Sequence, residues 1–476
     1  MNPGIAANQQ RLFLAFVAEL RPHVRRDSAL PRRIKELLAR QRAIGSRDRI
    51  LYRELIYTWL RFLPWCDPLL DSAPELAGKI IAWLAPDLKA TSHYRTAHCA
   101  DWPAVPVTLA EKAPALTRLV GPLEPTEVSD SAPCSLLEAQ VFSPTALLPA
   151  WFAEHCPAVF QPPHLDALNT RANVWVRLQC NDRNLVFDEF RGKQWAWETA
   201  ADFPDALCLP PNAEVANTDA YRRGFIEIQD LGSQLVLATA PITPGGRWLD
   251  ACAGAGGKTL QLARLLGDAG HVDATDIRPE ILDELRDRAQ RARLTNVRIL
   301  PSPVIARSPQ DDVAIHHSTT SASVIVRSPA ARDDEAIQLD RHGALRAPRD
   351  DNSGSALYDG VLVDAPCSGS GTWRRQPHLK WYVKPESLAS FAKTQLEILQ
   401  THAPRVKPGG LLIYATCSLS HHENHDVVAA FLKTHPQFTP VPAADTHGGT
   451  FDGLGTTLLP GTRNTDGFYV ASLRHN

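Results

Sequence analysis

The sequence has no C-x-x-C pair among its nine cysteines, which stand at 66, 99, 134, 156, 180, 208, 252, 367 and 417. A set this scattered, and odd in number, argues against both a disulfide framework and a zinc site, and it fits a reducing compartment. No apolar run approaches the ~20 residues of a membrane span. No leader is expected, because the short apolar stretch from Leu12 to Leu20 carries Glu19 and runs into more charge. Net charge is nearly absent as well, at -2 over 476 residues, so there is no overall nucleic-acid signature. These absences lead to the expectation of a cytoplasmic, monomeric protein with no membrane segment and no metal. The charge that exists is uneven. Residues 1–65 hold 13 Lys/Arg against 5 Asp/Glu, which suits either a phosphate-facing surface or a solvated helical face.

A length of 476 residues suggests roughly three domains. Between residues 9 and 65 apolar side chains recur every three or four positions (Leu12, Phe16, Leu20; Ile34, Leu37, Leu38; Leu51, Leu55, Ile56, Leu60), with prolines at 22, 31 and 64 as punctuation. A further helix is expected over Pro74–Leu84. Residues 1–125 therefore read as an all-helical domain with a basic face. Residues 130–222 are proline-rich and mixed, with a short helix over Pro149–Glu154 and an alternating strand over Asn173–Leu178, as in a small α+β domain. Residues 223–476 alternate strand and helix. The strands expected are Gly246–Ala251, His271–Asp276, Val297–Leu300, Gly360–Asp364 and Leu411–Thr416, closed by a hairpin of Thr457–Leu459 and Phe468–Leu473. Such repetition implies a parallel sheet with helices on both faces. One stretch breaks the rhythm: residues 302–356 show no sustained period and read as a disordered insertion.

Two cysteines stand out because each falls just past an expected strand, at the edge where open α/β sheets bind ligands. Cys367 lies in Val361-Leu-Val-Asp-Ala-Pro-Cys-Ser-Gly-Ser-Gly371 and Cys417 in Gly410-Leu-Leu-Ile-Tyr-Ala-Thr-Cys-Ser418. Polar, turn-forming residues follow each, unlike a cysteine that merely packs a core. A third strand leads into Trp248-Leu-Asp-Ala-Cys-Ala-Gly-Ala-Gly-Gly-Lys-Thr259, where glycines at 254, 256 and 257 let the backbone approach a ligand. The stretch fits neither a Walker loop, since Cys252 stands at its first glycine, nor the G-x-G-x-x-G fingerprint, since Thr259 stands at its last. With Asp276 placed to accept from ribose hydroxyls, the loop suits an adenosine cofactor whose class stays open on these grounds; a tight turn and a capping acid are the alternative.

These stretches resemble the Sun/Nop-type RNA cytosine-C5 methyltransferases, and among them the bacterial Fmu/RsmB branch acting on small-subunit ribosomal RNA. The resemblance rests on Cys252-Ala-Gly-Ala-Gly-Gly-Lys-Thr259, on Asp364–Gly371 running into Arg374-Arg-Gln-Pro-His-Leu-Lys-Trp381, and on Tyr414-Ala-Thr-Cys-Ser418 with Glu423-Asn424. Gly224-Phe-Ile-Glu-Ile-Gln-Asp230 resembles the family's entry into its catalytic domain, and Arg47–Tyr57 its NusB-like helical RNA-binding domain.

The resemblance implies a Rossmann-like S-adenosylmethionine (SAM)-dependent methyltransferase sheet, preceded by a NusB-like helical domain and a small α+β domain. It implies 5-methylcytosine formation in RNA through a covalent adduct at C6 of the base. Cys417 would be the nucleophile and Cys367 would help resolve the adduct. Asp364 would meet the base's Watson–Crick edge, and Lys258 would lie near base and cofactor. The cofactor would be held by Cys252, Ala253, Gly254, Ala255, Gly256, Gly257, Lys258, Asp276 and Asp364. Arg374, Arg375 and Lys380, with Trp373 and Trp381, would clamp and stack RNA, and Arg47, Arg49 and Arg53 would add a second RNA contact. Packing of the sheet edge is the other reading of the tryptophans. Two positions depart from the pattern: Ala255 replaces the loop's usual proline, and Pro301-Ser-Pro303 stands where a third acid is expected. The same chemistry on transfer RNA, or a non-catalytic RNA-binding ribosome assembly factor, are the rival functions.

Overall fold

A computed structural model describes residues 3–41, 44–121, 142–301 and 357–476. Cys134 and the expected insertion at 302–356 lie outside the described residues.

The N-terminal region is helical, with Pro3–Leu20, Leu30–Arg40, Ser46–Arg61, Pro74–Leu84, Lys89–His98 and Leu109–Val120 as its longer helices. The first helix buries Phe13, Phe16, Val17 and Leu20, while Leu12 only packs against that core. Its apolar stripe thus runs beside the Leu12/Phe16/Leu20 line, because 3.6 residues per turn shifts the face by part of a residue each turn.

Four strands, β1 (Val174–Leu178), β2 (Glu198–Ala200), β3 (Phe203–Leu209) and β4 (Ile226–Ile228), form an antiparallel sheet in the order β2-β3-β1-β4. β4 lies beyond the expected boundary at 222, yet it pairs with β1 and completes this small sheet.

The remaining strands are β5 (Gly246–Asp250), β6 (Gly270–Ala274), β7 (Val297–Ile299), β8 (Tyr358–Asp364), β9 (Val406–Thr416), β10 (Phe438–Val441), β11 (Thr450–Phe451), β12 (Thr456–Leu458) and β13 (Phe468–His475). They make one sheet in the order β11-β12-β13-β9-β8-β5-β6-β7, with β10 also on β13. From β7 to β9 all neighbours are parallel, and β13 joins β9 antiparallel. This is the expected Rossmann-like sheet. Alternate residues serve two cores: Leu249, Val361, Val363, Leu412 and Tyr414 pack one face, and Trp248, Leu362, Leu411, Ile413 and Ala415 the other. Burial on both faces explains why these strands read as continuous apolar runs. The chain moves outward from β5 to β7 and returns to β8 beside β5, so the carboxyl ends of β5 and β8 border the point where strand order reverses. Crevices that bind ligands form there.

The helical region shares a core with the part of the chain that carries the large sheet. Trp59, Trp65 and Trp83 belong to one apolar cluster with Phe152, Trp373, Leu379 and Leu419. The stretch 373–381 is the seam, which corrects the expectation that it clamps phosphates. Arg374 is 1% exposed and donates to Thr465 O (3.1 Å) and Asn464 Oδ1 (2.8 Å). Arg375 pairs with Asp466 (2.7 Å) and with Asp230. The Lys380 ammonium, also 1% exposed, donates to Arg61 O (2.9 Å), Leu147 O (3.1 Å) and Asn169 Oδ1 (2.8 Å). Burial pushes its pKa well below the ordinary lysine range. Trp373 is fully buried, and Trp381 Nε1 donates to Leu60 O at 2.7 Å. With most of their donors spent on protein acceptors, these side chains tie three parts of the chain together.

Lys380→Met keeps the stem's bulk and strands three buried acceptors, each costing about 1–3 kcal/mol when left unpaired. Urea unfolding should register a loss of several kcal/mol, with RNA affinity of the folded protein unchanged. A stable variant with weakened RNA binding would return Lys380 to a phosphate contact.

Candidate active site

The loop after β5 is shaped by its glycines. Gly256 has φ +90°, and a Cβ there would sit 2.1 Å from Leu285 Cδ1, so no other residue fits without displacing that side chain. Gly254 has φ +50°, with nothing nearer than 3.8 Å to a would-be Cβ, so its lack of a side chain leaves open space at the loop. Its amide donates to Asp276 Oδ2 at 2.9 Å. Beyond the loop, Lys258 sits in the first turn of helix Gly257–Leu266. This open glycine bend, a helix N-terminus and an acid past β6 together fit an adenosine-type cofactor.

Asp276 is less available than its position suggested. Arg278 donates to it from its backbone amide (3.0 Å), Nε (2.9 Å) and Nη2 (3.1 Å). A ribose diol must share or displace this arginine, a neighbour that no spacing pattern revealed. Where the third acid was expected, Pro301 follows β7 and accepts from Thr275 Oγ1 at 3.4 Å. The residues after it lie outside those described.

Asp364 closes β8 and accepts from Lys258 Nζ at 2.7 Å, the two side chains being 30% and 8% exposed. The ammonium also lies 5.0 Å from the Phe468 ring centre. Asp250, at the end of β5, is pushed up to about 7 by burial and by the nearby Asp364 charge, against the pull of a 2.7 Å hydrogen bond from Thr259. Burial and the charges of Asp276, Asp250 and Asp364 raise the Cys252 thiol well above its usual range, so it lines the loop as a neutral group.

The two turns carrying Cys367 and Cys417 meet because β8 and β9 are parallel neighbours with Asp364 opposite Ala415. Both cysteines therefore lie just beyond one edge, with sulfurs 3.3 Å apart, within S–H···S hydrogen-bond reach. Gly371 N donates to Cys417 O at 2.8 Å and Leu419 N to Ser370 Oγ at 2.8 Å, lacing the turns together. Beneath them lies Glu423, wholly buried. Its carboxylate accepts from Ser368 N (2.8 Å), Ser368 Oγ (2.5 Å), Ser418 Oγ (2.5 Å) and Gln395 Nε2 (3.1 Å). Asn424 accepts from Thr416 Oγ1 at 2.6 Å and donates to Ser418 O at 2.9 Å. The sequence shows a serine after each cysteine and a Glu-Asn pair close by, but not that one carboxylate serves both turns.

Lys258, Asp364, Cys367, Cys417, Asp276 and the 252–257 loop thus gather along one sheet edge. Arg47 and Arg49 are exposed on helix Ser46–Arg61 and Arg53 is half-exposed beside Glu54 (3.4 Å), on an element of the helical region rather than of that sheet edge. No helix among the described residues is long and apolar enough to cross a membrane.

Over residues 237–331 and 335–474 the chain matches the family described as 16S rRNA methyltransferase RsmB/F. It is 28% identical over 447 residues to the ribosomal RNA small subunit methyltransferase B of Yersinia enterocolitica serotype O:8 / biotype 1B (strain NCTC 13174 / 8081), covering 91% of this chain and 92% of that protein. The protein of the same name from Yersinia pestis bv. Antiqua (strain Angola) is 29% identical over 448 residues, with the same coverage. Among solved structures, that of PH0851 superposes with a TM-score of 0.62 at 19% identity, covering 92% of this chain and 93% of its own. NSun6 from Pyrococcus horikoshii, solved with SFG, gives a TM-score of 0.50 at 15% identity, covering 65% and 92%. At these identities the solved structures speak for the fold.

Glu423→Ala should lower stability by about 1–3 kcal/mol for each donor left buried without an acceptor, read from urea unfolding. An unfolding midpoint equal to that of the unsubstituted protein would show that the turns hold together without it. Asp250 generates a pH effect. A carboxyl whose pKa rises on folding binds its proton more tightly when native, so its contribution to stability is complete below about 4 and is lost as pH climbs towards about 7. Asp250→Asn should flatten the stability profile across that window, and an unchanged slope would count against a raised Asp250.

Proposed function

Because the chain belongs to the RsmB/F family of RNA methyltransferases and uses S-adenosylmethionine, we propose that it forms 5-methylcytosine in small-subunit (16S) ribosomal RNA through a covalent adduct with Cys417. The observation that carries this reading is the pair of sulfurs 3.3 Å apart at the ends of two adjacent parallel strands, beside Asp364 and Lys258. C5 of cytosine is a weak nucleophile until a thiolate adds to C6 and leaves electron density at C5. SAM, when bound, supplies the electrophilic methyl group.

The chain's residues take up the rest. The 252–257 loop and Asp276 hold the adenosine end of the cofactor, with Arg278 yielding part of its claim on the carboxylate. Asp364 meets the Watson–Crick edge of the base, and Lys258, 2.7 Å from that carboxylate, holds it in place at the site. Cys417 forms the bond to C6. Once C5 carries the methyl group, a base takes its hydrogen as a proton, the C5–H electrons re-form the C5=C6 bond, and the C6–S electrons return to Cys417. Cys367 is the group beside that sulfur, placed to exchange protons with it and to help release the product. The target nucleotide must leave its stack to reach two thiols at the edge of a sheet.

The buried seam passes RNA binding to other surfaces. Helix Ser46–Arg61 presents Arg47 and Arg49 to solvent and docks by Leu60 and Arg61 on the seam beside the site. Replacing Arg47, Arg49 and Arg53 by alanine should weaken RNA binding and flatten its salt dependence, by about 0.7–0.9 in log–log slope for each phosphate that is no longer neutralised. An unchanged slope would assign the basic helix another role.

The reading as a whole is tested by bisulfite sequencing of total RNA from cells lacking the gene, complemented with the unsubstituted protein or with Cys417→Ala. A small-subunit rRNA cytosine should be methylated in the first case only. Restoration by Cys417→Ala, or a mark confined to transfer RNA, would contradict the proposal.

A further inference from the structure

Three histidines beside the Cys417 turn converge without taking part in the reaction described above. His155 follows the short 3-10 turn Ala150–Glu154, and His421 and His422 open the 3-10 turn His421–Glu423 that comes after β9. One ligand nitrogen from each ring lies within 4.8 Å of the other two. The ring centres are 5.6, 4.8 and 4.3 Å apart. Ser420 Oγ lies 3.3 Å from His155 Nδ1, and His421 N donates to His155 O at 3.4 Å, so the backbone already brings the two segments together. Asp426 Oδ2 stands 3.1 Å from His421 Nδ1 and 2.8 Å from His422 Nδ1.

We propose that His155, His421 and His422 bind one divalent transition-metal ion of the zinc class. Imidazole nitrogens suit Zn²⁺, Ni²⁺ and Cu²⁺. Three protein nitrogens with one open position is a common four-coordinate zinc arrangement, with Zn–N of about 2.0–2.1 Å. Nitrogens around such a centre stand about 3.4 Å apart, which side-chain rotation reaches from the spacing seen here. With Asp426 on Nδ1 of His421 and His422, their Nε2 atoms are left to take an ion, and a carboxylate so placed orients metal-bound imidazoles and raises their basicity. It also disfavours a phosphate, which would meet Asp426 beside two of its three ligands. With His421 and His422 side chains 45% and 49% exposed, an ion reaches the site from solvent. The expectation of no metal rested on cysteine spacing, which is silent about histidines. Another group among the described residues, Asp202, Asp445 and His447, already holds a cation: Arg463 Nη1 lies 2.6 Å from Asp202. An ion on the three histidines would staple the segment around residue 155 to the loop directly after Cys417.

The full-length, untagged protein is titrated with ZnCl₂ by calorimetry and with CoCl₂ by visible absorption, after removal of metal with EDTA. The unsubstituted protein should bind one ion per chain, and His155→Asn and His422→Asn should each abolish that binding. Asp426→Asn should weaken it about 10–100-fold, as loss of a supporting carboxylate does. Melting curves in EDTA report whether each variant is folded, and substitutions on two separate elements keep the result independent of either one. The proposal is overturned if the unsubstituted protein takes up no ion or if uptake survives both histidine substitutions. It is also overturned if the cobalt complex shows a thiolate charge-transfer band that Cys367→Ser removes. Loss of RNA affinity in the histidine variants without any metal uptake would instead assign the cluster to phosphate.

Discussion

The geometry of the site depends on one buried carboxylate. Glu423 accepts hydrogen bonds from the residue that follows each cysteine, Ser368 and Ser418. Two turns 50 residues apart are thereby held at a common point, and their sulfurs come to 3.3 Å. Burial raises the pKa of this carboxyl, and the hydroxyl and amide donors around it pull the other way. The parallel pairing of β8 and β9 sets the turns side by side, and the glutamate fixes their separation. A hub of this kind tolerates little, since a donor stranded in a low-dielectric interior costs more than its bond contributed.

A second constraint is the set of buried cations between the helical region and the sheet. Arg374, Arg375 and Lys380 spend their donors on Thr465, Asn464, Asp466, Asp230 and the carbonyls of Arg61 and Leu147. Such groups are costly to bury, and here most of their donors are met by protein acceptors. Their partners lie before the large sheet and between its last two strands in sequence, β12 and β13, so the seam fixes where the basic helix Ser46–Arg61 stands relative to the thiols. RNA binding through Arg47 and Arg49 would be registered to the chemistry by this packing.

Much of the architecture is legible from local pattern. Apolar runs on β5, β8 and β9 reveal strands buried on both faces, and their ends mark the edge where Asp364, Cys367, Cys417 and the glycine loop meet. What the pattern cannot carry is who partners whom across the fold. Lys380 is a lysine after a Pro-His-Leu stretch whether it faces phosphate or three carbonyls, and only the fold decides. Arg278 is two residues from Asp276, yet its grip on that acid depends on side-chain direction. Glu423 shows in the sequence as half of a Glu-Asn pair, but its role requires Ser368, 55 residues earlier. β4 falls across the expected boundary at 222 because a three-residue strand has too few positions for a period to show.

In the proposed reaction two neighbouring thiols, Cys417 and Cys367, divide the work. Denaturing electrophoresis of Cys367→Ala and Cys417→Ala after incubation with substrate RNA and SAM separates the two roles. With Cys417 intact and Cys367 gone, a covalent protein–RNA complex should accumulate and survive denaturation. Without Cys417 neither complex nor methylated product should form. A complex in Cys417→Ala and none in Cys367→Ala would reverse the roles, and undiminished methylation by both variants would rule out a thiol mechanism.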